Sequence, residues 1–418
     1  MDMAARKLDM DPAELRRRNY IRPDQFPYTI PSGNEYDSGN YEAVLDKVLA
    51  MSDYRGLRES QARGRADGRL IGIGVVSTVE PGVFDWNAYA TVGVQGIGVP
   101  EGAKVAFDML GNLTVVVGFN LQGQGQFTVA AQVAADYWGL DVCAVKVASA
   151  STDIAPPSFG QGGSRLGVAI TGAVLGACEK LKAVFCQVVA HLMQTTPEQV
   201  ELMDGRLRLK ANPQVGMSVA EVAGTMLGRS DLLPPGMEPS PEATFVWTAE
   251  GRTMPDDQGR CRSYLTGANA THVVMVEIDR DTGRTDILKY FIVDDCGTRL
   301  NLANVEGQLQ GALAQGVGAA LYEEYVYNDE GQPLVTTFVD YLIPTIHEVP
   351  MATKDFIITP SPVAPLGAKG CGEGAIHTTP AAVLCAINDA LAPLGVEITE
   401  TPASPHRLWK VLRQVAER

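Results

Sequence analysis

An α+β fold made of two similar hairpin, loop and helix halves, preceded by a short helical segment, is what this sequence predicts. Three observations carry the prediction. First, β-type runs bounded by turn residues give way to helical periodicity at definite points along the chain. Second, the pattern is written twice, near 103 to 138 and near 272 to 323: a hairpin, a stretch rich in Gly and Gln, then a helix. Third, 418 residues with 45% apolar content can bury a large core.

Residues 1 to 66 read as mainly helical. Asp11 is placed to cap a helix with Pro12 at its first position, and Tyr41 to Met51 is amphipathic, with Glu42 and Asp46 on its polar side. Arg55 to Arg69 holds five arginines among polar residues, the pattern of an exposed helix or linker. From Arg69 the pattern turns to strand, at 70 to 76, 88 to 94, 103 to 107 and 113 to 117, the last two joined at Gly111-Asn112 as a hairpin. Gly118 to Gln126 follows as a glycine-glutamine loop, and a helix runs from Phe127 to Trp138, where Gly139 can end it. A second glycine loop, Phe159 to Arg165, opens a helix to about Val184, in which Gly167, Gly172, Ala173 and Gly176 permit close backbone packing.

Residues 194 to 262, richer in Pro, Gly, Met and charge, read as surface strands and loops linking two halves at about 67 to 245 and 262 to 418. A second hairpin, His272 to Asp279 with Arg284 to Val293, is followed by Asp294-Asp295-Cys296-Gly297 and by a loop at Val305 to Gly311 that enters a helix. The last loop is Gly367-Ala368-Lys369-Gly370-Cys371-Gly372-Glu373-Gly374, ahead of the apolar run Pro380 to Leu391.

Composition excludes several functions. A net charge of -15 argues against binding nucleic acid or an anionic membrane surface. The start has no apolar leader segment and no apolar run approaches the roughly 20 residues of a membrane span, so a cytoplasmic protein is expected. Seven cysteines without CxxC spacing and five scattered histidines indicate no disulfide frame, zinc site or iron-sulfur cluster, and no protein-ligated metal.

Chemistry therefore rests on the loops. Glycine-rich turns ahead of predicted helices occur at 122 to 126, 160 to 165, 307 to 311 and 367 to 374. Exposed N–H groups at such helix starts bind anions, and glutamine adds a donor and an acceptor, so a shared ligand is expected. None fits a P-loop or the dinucleotide fingerprint. Glu373, the one carboxylate in the last loop, is the candidate proton acceptor; the plain alternative is an exposed acid at a helix start. Cys371 lacks a histidine partner for nucleophilic work, His377 follows Glu373 by one helical turn, and Asp294 with Asp295 reads as a turn rather than a catalytic pair.

Taken as a set, Gly123-Gln124-Gly125 with Thr128 and Gln132, Gly163-Ser164-Arg165, Val305-Glu306-Gly307-Gln308 and Lys369-Gly370-Cys371-Gly372-Glu373 resemble the molybdenum-binding subunit of the xanthine dehydrogenase, aldehyde oxidase and carbon monoxide dehydrogenase family. Asp11 to Asn19 and Tyr36-Asp37-Ser38-Gly39 resemble that family's middle section, so the likeness spans nearly the whole chain. It implies a molybdopterin-binding domain over 67 to 418, with residues 1 to 66 completing a first molybdenum-binding domain.

The resemblance further implies a molybdenum-pyranopterin, as molybdopterin cytosine dinucleotide, that holds its metal through its own sulfurs. By motif, Gln122, Gly123 and Gln124 would line the pterin and metal, and Gly163, Ser164 and Arg165 its phosphate end or edge. Gln308 would contact the pterin, Lys369, Gly370, Cys371 and Gly372 would wrap the metal centre, and Glu373 matches the catalytic base. The family's upstream glycine loops are missing here, which points to the second half of a split subunit, or a fragment, completed by a chain carrying the first half. Electrons would leave through an iron-sulfur (2Fe-2S) subunit and a flavin (FAD) subunit. The expected small-molecule substrate is an aromatic N-heterocycle hydroxylated at an electron-poor carbon, with aldehyde or carbon monoxide oxidation as alternatives. A non-catalytic subunit that binds a phosphoryl ligand or scaffolds an assembly is the rival from another class.

Overall fold

The computed structural model describes residues 1–93 and 99–417. The chain opens with α1 (Asp2–Lys7), α2 (Pro12–Asn19), the two-residue strands β1 (Tyr28–Thr29) and β2 (Glu35–Tyr36), α3 (Tyr41–Met51) and α4 (Tyr54–Ala66). Asp11 caps α2 as its sequence requires, its Oδ1 accepting from the N–H of Ala13 at 2.7 Å and of Glu14 at 3.3 Å. The arginines of α4 are not all idle. Arg58 and Arg65 reach Asp389 at 3.0 and 3.4 Å, and the same carboxylate accepts the Ile73 N–H at 2.8 Å. One acid thus ties α4 to the next strand, β3 (Leu70–Phe84), and to a helix far along the chain.

The first sheet is built on the first predicted hairpin, β4 (Glu101–Phe107) and β5 (Leu113–Val117), paired antiparallel. Asp108 closes its turn by accepting from the N–H groups of Leu110 and Asn112 at 2.8 and 2.9 Å. α5 (Gln126–Trp138) then returns the chain to β6 (Val145–Ser149), parallel to β5. α6 (Leu166–Leu192) covers this sheet and runs two turns beyond the predicted end at Val184, with Leu181, Phe185, Val188 and Val189 fully buried. A three-stranded meander, β7 (Val200–Met203), β8 (Arg206–Leu209) and β9 (Asn212–Ser218), and the helix α7 (Val219–Gly228) occupy the linking region. β10 (Glu242–Trp247) then closes the order β10–β4–β5–β6. Gly172 and Gly176 make that closure possible: a Cβ on either would lie 2.4 Å from Trp247 or 2.2 Å from Phe245.

The second sheet repeats the arrangement with β11 (Tyr264–Ile278), β12 (Thr285–Asp295) and β13 (Thr353–Phe356). β11 and β12 form the second hairpin, β13 runs parallel to β12, and β3 pairs antiparallel with β11, giving β13–β12–β11–β3. Each sheet is therefore an added antiparallel strand, a hairpin and a parallel strand, the internal repeat that the sequence wrote. β11 is buried almost throughout because α3 packs on one side of it and two C-terminal helices on the other: α8 (Leu302–Leu321) and α9 (Gly374–Leu391). Gly72 and Gly74 let α9 lie directly on β3, since a Cβ there would sit 1.8 Å from Ala386 O or 2.2 Å from Ala382 O. α10 (Pro405–Ala416) ends the chain.

Three expectations need correction. Residues 88 to 92 belong to a 3-10 turn, Trp86–Val92, rather than a strand, and Val94 lies outside the described residues. Gly307 to Gly311 lie inside α8, because Asn301 starts that helix earlier, its Oδ1 accepting from the Asn304 N–H at 2.9 Å. β3, expected in the first half, belongs to the sheet of the second.

Candidate functional site

The two halves meet where the start of α8 is stapled to the start and middle of α5. Asn301 donates to Gln132 Oε1 at 2.9 Å and Asn304 to Gly125 O at 3.3 Å. Beside this seam opens a cleft of about 240 Å³, into which four segments converge: 122–126, 161–167, the first half of α8, and 368–373.

The first loop is released by glycine. Gly123 and Gly125 take φ 104° and 81°, and no atom lies within 4 Å of a Cβ placed on Gly123. The second turns through Gly160, Gly162, Gly163 and the left-handed non-glycine Ser164 at φ 48°. Gln126 and Gln161 join them: the Gln126 amide donates to Gln161 Oε1 at 2.9 Å, and the Gln161 amide to Asn120 O at 2.7 Å. The last loop is held on the second sheet by the Gly297–Ala368 bridge and by the Lys369 N–H donating to Cys296 O at 2.9 Å. Its glycines let it press on the second loop: a Cβ on Gly370 would be 2.8 Å from Ser164 Cβ, and one on Gly372 would be 3.3 Å from Ser164 Oγ and 3.7 Å from Gln308 Oε1.

Of the residues picked out in the sequence, Gln122, Gln124, Ser164, Arg165, Gln308, Lys369, Cys371, Gly372 and Glu373 line this one cleft. Gly123, Gly163 and Gly370 shape the loops behind it. Two charged side chains point elsewhere. Arg165 is buried, with its guanidinium committed to Glu101 at 2.8 Å, Gly160 O at 2.7 Å and Val99 O at 2.6 Å. Lys369 reaches Ser38 O at 3.1 Å, and burial lowers its pKa against the pull of Asp37 and Asp295. Both tie loops down rather than reach for a ligand. His377 is exposed, its N–H on Glu373 O at 3.1 Å. Gln126, Gln161, Asn301 and Asn304 were missed, although Gln126 directly after Gly123-Gln124-Gly125 and Gln161 within Gly160-Gln161-Gly162 were readable signals.

Glu373 caps the start of α9 without a side-chain capping bond, and its backbone N–H donates to Ser164 Oγ at 3.0 Å and Glu80 Oε1 at 3.2 Å. Behind it lies a pair of buried acids that sequence reading did not assemble. Burial pushes Glu80 up to about 7, opposed by its hydrogen bonds from Ser164 and the loop backbone. Burial, with the negative charge of Glu80 and Asp295 beside it, pushes Asp294 up to about 8. Asp295 serves the turn as expected, its Oδ1 accepting the N–H groups of Gly297 and Thr359 at 3.1 and 2.9 Å. Cys296 and Cys371 are hydrogen-bonded side by side, which with burial raises the Cys296 thiol well above its usual range and keeps it protonated. Among the described residues no group of three or more His, Cys, Asp or Glu side chains is arranged to hold a metal ion.

A cleft walled by Gln122, Gln124, Gln126, Gln161, Asn301 and Gln308 offers paired neutral donors and acceptors instead of cations. Gln126 Oε1 is buried there without a partner. Such a wall suits a flat heterocycle edged with N–H, N and C=O groups, and residues 47–350 match the family model described as the molybdopterin cofactor-binding domain. The chain is 33% identical over 99% of its length to the carbon monoxide dehydrogenase large chain of Hydrogenophaga pseudoflava, covering 50% of that protein. It is 32% identical over its full length to the nicotine 6-hydroxylase large subunit of Paenarthrobacter nicotinovorans, covering 49%. The crystal structure of quinoline 2-oxidoreductase from Pseudomonas putida 86 superposes on it with a TM-score of 0.89 at 35% identity, over 100% of this chain and 51% of the other. The chain thus spans about half the length of the relatives it matches.

Proposed function

Because the chain belongs to the molybdopterin cofactor-binding domain family, we propose that it supplies the base-bearing half of a molybdenum hydroxylase site, with Glu373 as catalytic base. The observation that carries this reading is the convergence of Gln122, Gln124, Ser164, Gln308 and the 369–373 loop on one cleft, with a single carboxylate, Glu373, in that loop. When bound, the molybdenum cofactor supplies the two-electron chemistry and the transfer of water-derived oxygen.

This chain supplies binding, orientation and a proton acceptor. The amides of Gln122, Gln124 and Gln308 would offer hydrogen bonds to the pterin, and the backbone of Gly163, Ser164 and Arg165 would receive its edge or phosphate end. Lys369 to Gly372 would hold the metal end, with the Lys369 side chain anchoring the loop from behind through Ser38 O. Glu373, half-buried at the cleft wall, accepts the proton released as oxygen is delivered to an electron-poor carbon.

The cytosine dinucleotide form of the cofactor, an iron-sulfur subunit, a flavin subunit and a chain or chain portion bearing the other half of the site complete the proposal. The half-length match to the relatives supports the last of these. So does an irregular arm after α8 on which Phe338, Val339 and Ile346 are 82, 84 and 87% exposed, a surface suited to cover by another polypeptide. An aromatic N-heterocycle is the proposed substrate, on the strength of the relatives named for nicotine and quinoline. The likeness to a carbon monoxide dehydrogenase keeps carbon monoxide as the second reading.

The test is metal and pterin-nucleotide analysis of the complex purified with its partner chains, followed by turnover with quinoline-type heterocycles, aldehydes and carbon monoxide. Absence of molybdenum and of a released pterin nucleotide would sink the enzyme reading. Glu373→Gln should keep the metal and lose turnover by about 10²- to 10⁴-fold.

A further inference from the structure

Glu80 is the acid that the function above does not use. It lies near the end of β3, opposite Ala268 of β11, and is 2% exposed. Its partners are N–H and O–H groups: Oε1 accepts the Glu373 N–H at 3.2 Å, and the carboxyl also accepts from the Gly374 N–H and the Ser164 hydroxyl. Ser164 Oγ accepts the same Glu373 N–H at 3.0 Å, so acid, hydroxyl and loop form one closed network. Gly374 is required beside it, since a Cβ there would sit 2.8 Å from Glu80 Oε2 and 3.9 Å from Asp294 Oδ1.

We propose that Glu80 is the positioning residue for Glu373: its carboxyl gathers the N–H groups of Glu373 and Gly374 and the Ser164 hydroxyl, fixing the base-bearing loop against the cofactor-facing loop. The proposal rests on the reading of Glu373 as the base. Three segments far apart in sequence meet at this carboxyl, and without it the Gly374 N–H loses its acceptor while the Glu373 N–H keeps only Ser164 Oγ. The charged groups facing Glu80 are acids, Glu373 from the loop and Asp294 from β12, with Asp295 and Lys369 behind Asp294. Among the described residues no ion pair holds Glu80. It is kept in place by hydrogen-bond donors alone, the arrangement expected of a group that orients backbone rather than neutralises a cation.

The experiment compares wild type, Glu80→Gln and Glu373→Gln in the complete complex, by amide hydrogen exchange over 370–376 and by steady-state kinetics. Glu80→Gln keeps the shape but turns one acceptor into a donor facing an N–H. The exchange of residues 373 and 374 should accelerate about tenfold or more. Turnover should fall roughly 100-fold with KM nearly unchanged, as for a misplaced reacting group. Wild-type exchange and wild-type kcat in Glu80→Gln would overturn the proposal. Should Glu80→Gln fail to fold, Gly374→Ala displaces the same carboxyl and is read by the same exchange measurement, where unchanged protection at Glu373 overturns it equally. Near-normal turnover in Glu373→Gln would instead remove the base reading, while the exchange result still reports on Glu80 as the anchor of the loop.

Discussion

Asp294→Asn should make the protein relatively more stable as pH rises, and the size of the effect follows from burial. Asp294 is the penultimate residue of β12 and is 2% exposed, and its Oδ2 has no hydrogen-bond partner. Desolvation first, then the charges of Glu80 and Asp295, push it to about 8 from an ordinary value of 3.8. The folded state therefore holds a proton that the unfolded chain releases. Stability from this group is complete below the unfolded value and is lost as pH climbs towards the folded one. One proton of difference costs about 1.36 kcal/mol per pH unit, so between pH 5 and 7 the wild type loses up to about 2.7 kcal/mol that the Asn variant keeps. Because Glu80 titrates beside it, the pair shares the loss and this figure is a ceiling for either acid. At this chain length, roughly 1–2 °C per kcal/mol translates it into a melting-temperature gap widening by about 3–5 °C at most. Thermal unfolding of both proteins at pH 5, 6 and 7, at matched concentration and cofactor content, is the assay. A gap that stays constant with pH would refute the protonated, desolvated Asp294.

Arg165→Met should destabilise by about 3–5 kcal/mol by stranding the fully buried Glu101, and Glu101→Gln in the same chain should restore part of the loss, both read by thermal unfolding. Gly176→Val should cost about 1–3 kcal/mol or more, because its Cβ would fall 2.2 Å from Phe245, whereas Gly236→Ala, where no atom lies within 4 Å, meets no steric clash and carries only the strain of φ 80°. Asn304→Ala removes the bond to Gly125 O and should raise hydrogen exchange in 120–126 and lower pterin content while leaving exchange in 103–117 unchanged.

The first hairpin was legible because period-two burial and a turn residue coincide: β5 alternates buried and half-buried, and Gly111 marks its turn; the second was legible from its turn at Gly283, since β11 is buried almost throughout. The loops at 122–126 and 160–165 were legible because their glycines sit at φ values that other residues resist, and 367–374 because Gly370 and Gly374 leave no room for a Cβ beside Ser164 and Glu80. Gly307 to Gly311 carries the same letters inside a helix, and only the Asn301 cap six residues earlier tells the two apart. The direction of a charge was not legible. Arg165 and Lys369 stand in ligand-like motifs, but Glu101 and Ser38, 64 and 331 residues away, decide where they point. Glu80 was least visible, one acid in a strand, whose meaning depends on a loop 293 residues later.

These two cations decide how the cleft can hold a ligand. With Arg165 and Lys369 turned inward, what faces the cavity is amide, hydroxyl, thiol and backbone N–H with the one carboxylate of Glu373, in a chain whose net charge is -15. Binding by such groups relies on matched hydrogen bonds inside a partly enclosed space, which salt screens far less than exposed ion pairs. A site that depended on free Lys and Arg would lose affinity steeply as salt rises, whereas this one should keep its pterin when the complex is dialysed from about 0.1 to 1 M salt, over which the screening length falls from about 10 to 3 Å. Pterin fluorescence of the released fraction measures it. Loss of most of the cofactor across that range would mean that a cation outside this chain's cleft wall carries the binding, and would move the anionic end of the ligand away from the 163–165 loop.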